Sequence, residues 1–144
     1  MNEPKPSQRG RDARLVEYAL PGGWTVLAGR SDRDNDYLSF RVAKPNDWWF
    51  HVRGMPGSHV ILQVPSGEDP DRATLERAAA IAAYHSKARS GGVVPVTGTR
   101  ARHVTKPSGV KTGTVHVRKE TVFKVRPAPG EPVGRPASDP IPGS

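Results

Sequence analysis

One stretch near the middle of the chain constrains its fold more than any other. Residues 47–53 (DWWFHVR) and 58–64 (SHVILQV) alternate apolar and polar side chains, as a β-strand with one buried face does. Between them lies Gly-Met-Pro-Gly at 54–57, whose composition is typical of a turn. The sequence therefore predicts a β-hairpin, and the fold must place the apolar face of this hairpin in the core.

Alternation also separates the side chains of the hairpin into two faces. If the apolar residues stay together, the loop spans 54–58, His51 lies opposite Ile61 and Arg53 lies opposite His59. Trp49 would then share the outer face with these polar groups, either as a stacking plane for a ligand or packed under another element. The apolar face contains Trp48, Phe50, Val52, Val60, Leu62 and Val64.

The remaining pattern predicts an α+β fold, with a mostly antiparallel or mixed sheet of about six or seven strands. One long Ala-rich helix, at about 71–89, would pack on one face of this sheet, because its alanines recur at helical spacing. Residues 30–42 permit either a short helix capped by Asn35 or Asp36, or another strand. The other predicted strands cover 14–20, 24–29, 92–98, 100–106, 113–119 and 121–127.

Composition predicts a disordered tail at each end of one domain. Residues 127–144 hold six prolines and three glycines, which leaves too little apolar surface to offset the ordering of the chain. Residues 1–12 have a similar composition, so the expected domain is 13–126. The chain has no cysteine, no signal-like N-terminus and no apolar run long enough for a membrane helix, so we expect a cytoplasmic protein.

Positive charge is concentrated near the C-terminal end of the expected domain. The formal net charge is +8, and residues 100–126 carry eight Lys or Arg against the single acid Glu120, a net of +7. Such a lopsided field attracts polyanions, chiefly nucleic acid, although a basic face can also serve solubility alone. The cations are Arg100, Arg102, Lys106, Lys111, Arg118, Lys119, Lys124 and Arg126.

The motifs of this chain favour binding over catalysis. Neither a Walker-type phosphate loop nor a dinucleotide fingerprint is present, and the segment KPSGVKTG at 106–113 is either a plain hairpin loop or a backbone grip for a phosphate. Asp47, His51 and His59 do not have the spacing of a metal site, and Ser58 lacks a nucleophile elbow. We therefore predict no catalytic residue, no metal site and no cofactor.

Four blocks of the sequence resemble the NFACT-R family. DWWFHVRGMPGSHVIL resembles its signature, in which Asp-x-Trp-Phe/Leu-His precedes Pro-Gly-Ser-His-Val. VLAGRSDRDNDYLSFRVAKPND, AAAIAAYHSKAR and RHVTKPSGVKTGTVHVRKETVFKV resemble its flanking segments, and the similarity covers about residues 15–126. The matching residues are Asp47, Trp48, His51, Pro56, Gly57, Ser58 and His59 in the signature, Ser86 and Lys87 after the helix, and Lys106 and Lys111 in the basic loop.

The resemblance implies RNA binding. NFACT-R is regarded as an RNA-binding domain of ribosome-quality-control factors, which bind large ribosomal subunits that carry stalled peptidyl-tRNA. The large N-terminal domain, helix-hairpin-helix and coiled coil of those factors have no counterpart in these 144 residues, so we expect a stand-alone version. Asp47, Gly57 and Ser58 could serve only to form turns.

The sequence thus predicts an RNA-binding module that acts on tRNA, rRNA or the large ribosomal subunit, in translation quality control or RNA modification. Membranes are not expected partners, and the sequence does not define an oligomeric state. Two alternatives are a small RNA-processing enzyme that uses Asp47, His51 and His59, and a protein-interaction adaptor. Phosphates would be held by Arg102, Lys106, Lys111, Arg118 and Lys119, and the selective contacts would come from His51, Arg53 and His59, with Lys87 as a further RNA contact.

Overall fold

The structure is a computed structural model that describes residues 15–133. The predicted N-terminal tail, 1–12, lies outside the described residues, and so does the end of the predicted C-terminal tail from residue 134. In chain order the elements are β1 (Leu15–Leu20), β2 (Trp24–Gly29), α1 (Asp32–Tyr37), a π-helical turn (Leu38–Val42), β3 (Trp48–Val52), β4 (Val60–Leu62), α2 (Arg72–Tyr84), β5 (Val94–Arg100), a 3₁₀ turn (Ala101–His103), β6 (Val104–Thr105), β7 (His116–Val117), β8 (Thr121–Val125) and β9 (Glu131–Pro132).

Within residues 15–133, seven strands form one antiparallel sheet in the order β8-β5-β3-β4-β2-β1-β9, and β6 pairs separately with β7. The predicted α+β class and the predominance of antiparallel pairing are confirmed. β1 and β2 form a hairpin from Leu20 to Trp24, where Gly22 and Gly23 adopt positive φ angles of 94° and 83° that favour glycine. The signature hairpin, β3 and β4, lies at the centre of the sheet.

Helix α2 covers one face of the sheet, as its alanine pattern predicts. Its small side chains let the helix approach the strands closely, and together they form the larger core with Phe50, Leu62 and Phe123. Asp71 caps the N-terminus of the helix, since its carboxylate accepts a hydrogen bond of 2.8 Å from the backbone N–H of Thr74. The helix ends at Tyr84, five residues before the predicted end at 89, because the chain turns at residues 85–86 and Ser86 pairs with Gly57 in the loop between β3 and β4.

The opposite face of the sheet is also covered, which the sequence pattern did not predict. Leu27, Trp49 and Ile61 point to this face and pack with Leu38 and Val104 in a second apolar cluster. Leu38 begins the π-helical turn and Val104 begins β6, so these two elements, which lie between strands of the main sheet along the chain, cover its second face. Trp49 is only 2% exposed, and its interpretation as an open stacking plane is therefore wrong.

The signature hairpin keeps the predicted faces but has a different register. Trp48 pairs with Leu62 and Phe50 pairs with Val60, so that extension of the pairing would bring His51 opposite His59 rather than opposite Ile61. The shift is two residues, which preserves the side to which every side chain points. The connection is longer than the predicted five residues because the segment after β3 reaches out to pair with the end of α2.

Two local predictions need correction. Helix α1 begins after Ser31, whose Oγ accepts a 3.1 Å hydrogen bond from the backbone N–H of Asp34, and not at Asn35 or Asp36. The predicted strand at 100–106 is mostly a 3₁₀ turn, with only Val104–Thr105 in β6, because the chain leaves the sheet there to cross over the second face.

Ordered structure continues past residue 126, the predicted end of the domain. Glu131–Pro132 forms β9, which pairs with β1 at the edge of the sheet. The backbone N–H of Ala128 donates to the carbonyl of Ala80 at 3.1 Å, and Gly130 lies close to Tyr18 and Ile81. Backbone pairing of this kind does not need an apolar composition, which explains how a segment rich in Pro and Gly joins the domain.

Candidate nucleic-acid interface

Asp47, the first residue of the signature, is committed to the backbone of the fold. Its carboxylate is buried and accepts hydrogen bonds of 2.8 Å from the N–H groups of Lys44 and Val64. Its own carbonyl accepts from the N–H of Ala101 at 2.8 Å. Asp47 therefore connects the start of β3 with the end of β4 and of β5. Trp48 follows it, with its ring stacked on Phe50 at a centroid distance of 5.9 Å.

The signature turn, defined as residues 56–58, is tied to the end of α2 and to β2. Gly57 forms an isolated bridge with Ser86, and the N–H of Ser58 donates to the carbonyl of His85 at 3.1 Å. The hydroxyl of Ser58 donates to the carbonyl of Gly29. A Cβ on Gly57 would lie 3.0 Å from Val52 and 3.3 Å from Ser86, so this close approach favours glycine. Pro56 is exposed beside these contacts.

His59 belongs to a buried polar network rather than to an open surface. It is 3% exposed, its Nδ1 lies 2.9 Å from the Oγ of Ser39, and Trp49 donates its indole N–H to the same oxygen at 3.1 Å. The backbone N–H of His59 donates to the Oδ1 of Asn35 at 2.9 Å. Burial, followed by the nearby His51, lowers the pKa of His59 to about 4. The imidazole is therefore neutral at pH 7 and joins three elements of the fold.

His51 and Arg53 line a cleft on the second face of the sheet, which we call the histidine cleft. The cleft has a volume of about 380 Å³, and residues 113–115 form its opposite wall. Burial lowers the pKa of His51, whose ring stacks on Trp49 at 6.0 Å. Arg53 is exposed and lies 3.7 Å from Glu120, which also accepts from the Oγ1 of Thr97 at 3.1 Å. The cleft thus combines a neutral imidazole with a loosely paired guanidinium.

The basic loop, residues 106–113, is closed by a carboxylate of the protein itself. Lys106 lies 3.1 Å from Asp36 and donates to the carbonyls of Lys111 and Thr114 at 3.0 and 3.1 Å. The other oxygen of Asp36 accepts from the N–H of Gly113 at 3.0 Å. Asp36 therefore occupies the position that a phosphate would take in the second of the two interpretations of this loop. Lys106 has its hydrogen-bonding capacity satisfied internally, whereas Lys111 is exposed on the same loop.

Three of the predicted cations form a cluster, which we call the basic ridge: Arg102, Arg118 and Lys119. Arg102 adjoins His103, and the backbone N–H of Arg118 donates to the carbonyl of His103 at 3.1 Å. Burial first, and then the charges of Arg102, Lys119 and Arg118, lower the pKa of His103. Thr99 anchors the ridge, since its hydroxyl lies 2.8 Å from the carbonyl of Arg118 and 3.2 Å from that of Lys119.

Lys87 lies away from the ridge, in a second cleft that we call the signature cleft. This cleft has a volume of about 540 Å³ and lies between the signature turn, the start of α1 and the segment after α2. Two cations that the sequence analysis did not select, Arg30 and Arg89, also line it. Arg30 and the other two cations lie in two different blocks that resemble the family, more than fifty positions apart along the chain, so the sequence alone did not indicate that they meet.

Among residues 15–133, no group of three or more His, Asp or Glu side chains is arranged to hold a metal ion. No helix in the described part of the chain has both the length and the apolar character needed to cross a membrane.

The fold and these surfaces define a class: an α+β sheet domain whose exposed cations form a ridge and line a cleft, an organisation suited to a polyanion. The family follows from residues 16–119, which match the family model of the NFACT protein RNA binding domain, and the chain belongs to that family. The resemblance of the four sequence blocks is thereby confirmed.

The chain is also similar in sequence to known proteins and in structure to a solved one. The chain is 43% identical over 117 residues to the Rqc2 homolog RqcH of Bacillus subtilis, covering 81% of this chain and 20% of the relative. The Rqc2 homolog RqcH of Streptococcus suis is 38% identical over 109 residues, covering 76% and 19%. This chain thus spans about a fifth of the length of either relative. A solved structure, the C-terminal of the fibronectin/fibrinogen-binding protein from Streptococcus suis, is similar with a TM-score of 0.73 and 36% identity, covering 79% of this chain and 46% of that one.

Proposed function

We propose that this domain binds tRNA or rRNA through the basic ridge, and that it acts with the large ribosomal subunit in translation quality control. The family to which the chain belongs supports RNA binding, and the name of its relatives supports the quality-control setting. The observation that carries the proposal is the clustering of Arg102, Arg118 and Lys119, which the pairing of Val104 with Val117 and the 3.1 Å hydrogen bond from the N–H of Arg118 to the carbonyl of His103 hold together.

The geometry of the ridge suits phosphate groups. Within the described residues, no carboxylate lies within ion-pair distance of Arg102, Arg118 or Lys119, so their charges are available to an external anion. Arg102 is oriented by a 3.2 Å hydrogen bond to the side-chain oxygen of Asn46. Lys111 adds a further exposed charge, whereas Lys106 acts by holding its loop in shape.

The histidine cleft adjoins the ridge along the chain and would supply selectivity. Val117 and Glu120 line the cleft, and the two residues between them are the ridge residues Arg118 and Lys119. A nucleotide whose phosphate is held on the ridge could place its base edge near His51 and Arg53. The exposed pair of Arg53 and Glu120 contributes little stability, so a base can replace Glu120 as the partner of Arg53 at low cost.

The structure gives little support to the two alternatives. Asp47 has its carboxylate engaged by backbone groups and lies four residues from His51 along β3, about 13 Å away. Because His59 is also buried, these three residues do not form an open catalytic site. A protein adaptor would not need a cluster of unpaired cations, and nuclease treatment before a pull-down distinguishes it, since RNA-bridged association is then lost.

The experiment measures RNA affinity against salt concentration. Arg118→Gln with Lys119→Gln removes two phosphate contacts, so the slope of log Kobs against log salt should fall by about 1.5, with about 30-fold weaker binding at 0.1 M salt. The matched control, Arg72→Gln with Arg77→Gln, removes the same charge from α2 on the opposite face of the sheet and should change the slope much less. Equal slopes for the ridge variant and the wild-type protein would overturn the proposal. tRNA and rRNA fragments serve as separate probes.

A further inference from the structure

The signature cleft is built by three segments that the fold holds in fixed positions. Its walls come from residues 29–32 with Asn35, from 56–58, and from 85–87 with Arg89. The Nδ2 of Asn35 donates to the carbonyl of Gly57 at 3.4 Å, which adds to the bridge between Gly57 and Ser86. A Cβ on Gly29 would clash with the Oδ1 of Asn35 and lie 3.1 Å from its backbone nitrogen, so this close approach favours glycine. The residues of the signature turn therefore hold these segments together, and the three segments shape a concave surface.

Positive charge converges on this cleft. Arg30, Lys87 and Arg89 line it together with one acid, Asp32. Among residues 15–133, none of the three cations has a carboxylate within ion-pair distance. The cleft thus has an excess of two positive charges that the described part of the protein does not neutralise.

Arg89 is positioned before any ligand arrives. Its Nε donates to the carbonyl of Tyr84 at 2.9 Å, and its guanidinium lies 4.2 Å from the centroid of the Tyr84 ring. These contacts leave the terminal amino groups free to donate elsewhere. His85 lies close enough to these cations to be affected by them: burial, and then the charges of Arg89 and Arg30, lower its pKa. Its Nε2 lies 2.7 Å from the hydroxyl of Tyr18.

We propose that the signature cleft is a second phosphate-binding site, in which Arg30, Lys87 and Arg89 hold one phosphate group of an RNA that also contacts the basic ridge. The volume of about 540 Å³ accommodates a ligand of nucleotide size. This inference rests on the proposed RNA binding and adds a separate site to it. The loop between β3 and β4 contributes to both clefts, with Arg53 and Gly54 in one and Pro56 in the other, so one RNA can reach both.

The phosphate could be an internal diester or a terminal monoester, and small probes distinguish them. The full chain is titrated with inorganic phosphate, adenosine 5′-monophosphate and a dinucleoside monophosphate that carries only a diester, while the NMR signal of His85 is followed. A bound anion offsets the charges of Arg89 and Arg30, so the pKa of His85 should rise. Response to the diester supports an internal phosphate, and response to the monoesters alone supports a chain end.

The decisive variant is Arg30→Gln with Lys87→Gln, which leaves the ridge unchanged. It should abolish the response of His85 to phosphate and weaken RNA binding about 30-fold at 0.1 M salt, the same loss as for the two contacts of the ridge variant. The matched control is again Arg72→Gln with Arg77→Gln. Since all four side chains are exposed, none of the substitutions should prevent folding, which circular dichroism verifies.

The outcomes separate this inference from the proposed function. If the cleft variant binds phosphate and RNA as the wild-type protein does while the ridge variant loses affinity, the second site is refuted and the proposed function stands. If the cleft variant alone loses affinity, the second site stands and the ridge assignment falls. Tighter binding of an acidic peptide than of RNA with equal charge would also overturn the inference.

Discussion

Acidification should destabilise the domain through His59, and the pH window follows from its pKa. The folded protein holds this imidazole neutral with a pKa of about 4, whereas an imidazole in the unfolded chain has a pKa of about 6.5. The unfolded state therefore binds more protons between these values, and the free energy of unfolding falls as the pH falls. The stabilising effect is present above pH 6.5, is lost as the pH falls through 4 and does not change further once the folded state is also protonated, below about pH 3.

The magnitude can be worked from the same two values. At pH 5, the linkage relation gives a loss of about 2 kcal/mol relative to pH 7, which rises to about 3 kcal/mol below pH 4. The structural cause is first the burial of the imidazole and then the nearby His51. The surrounding hydrogen bonds also fit a neutral ring, since Ser39 accepts from Trp49 and can donate its own proton to Nδ1 of His59. A protonated His59 could not accept that proton, and its charge would be buried.

Urea unfolding at pH 7, 6 and 5, followed by tryptophan fluorescence, measures this loss. His59→Gln is the comparison variant: it should be less stable at every pH because the site is buried, but its stability should depend less steeply on pH by about 2 kcal/mol between pH 7 and 5. His85 titrates in both proteins and cancels in the difference. His51 is coupled to His59, with ring centroids 5.5 Å apart, so the difference measures the titration of His59 together with this coupling. If wild type and variant lose the same free energy over this range, His59 is not a buried neutral group.

Two further predictions concern the sheet and the basic loop. Gly98→Ala should lower the free energy of unfolding by about 1–3 kcal/mol in urea, because the added Cβ would lie 2.7 Å from Phe123 and 2.9 Å from Phe50; an unchanged stability would show that these rings can shift. Lys106→Met removes the ammonium that holds Asp36 and two carbonyls, so hydrogen exchange should accelerate across residues 107–114. Exchange as slow as in the wild-type protein would mean that Lys106 does not hold the loop.

The predictions from sequence succeeded in segments where the apolar residues recur with a single period, either that of a strand or that of a helix. Alternation placed Phe50 and Leu62 on one face of the sheet, and the alanine spacing placed α2 against that face. The predicted register between β3 and β4 was wrong by two residues. A shift of two residues keeps every side chain on the same face, so the apolar pattern of the sequence is equally consistent with both registers. The end of α2 was placed too late, since the contact between Gly57 and Ser86 that draws the chain away is not local.

The candidate site was only partly predictable for a related reason. Charge density identified Arg102, Arg118 and Lys119, which the fold clusters, but it gave equal weight to Lys106, whose charge Asp36 takes up from seventy residues away. Arg30 lies in the block VLAGRSDRDNDYLSFRVAKPND, which resembles the family, but charge density gave no reason to select it because it stands outside the basic segment 100–126.

The sequence by itself determined the α+β class, the central hairpin, the helix on one face and the excess of positive charge, because periodicity and composition are properties of the chain before it folds. Only the tertiary structure decided which charges remain available. It buried His59 and Trp49 under the π-helical turn, satisfied Lys106 internally and brought Arg30 beside Lys87, because burial and pairing depend on which distant segments meet.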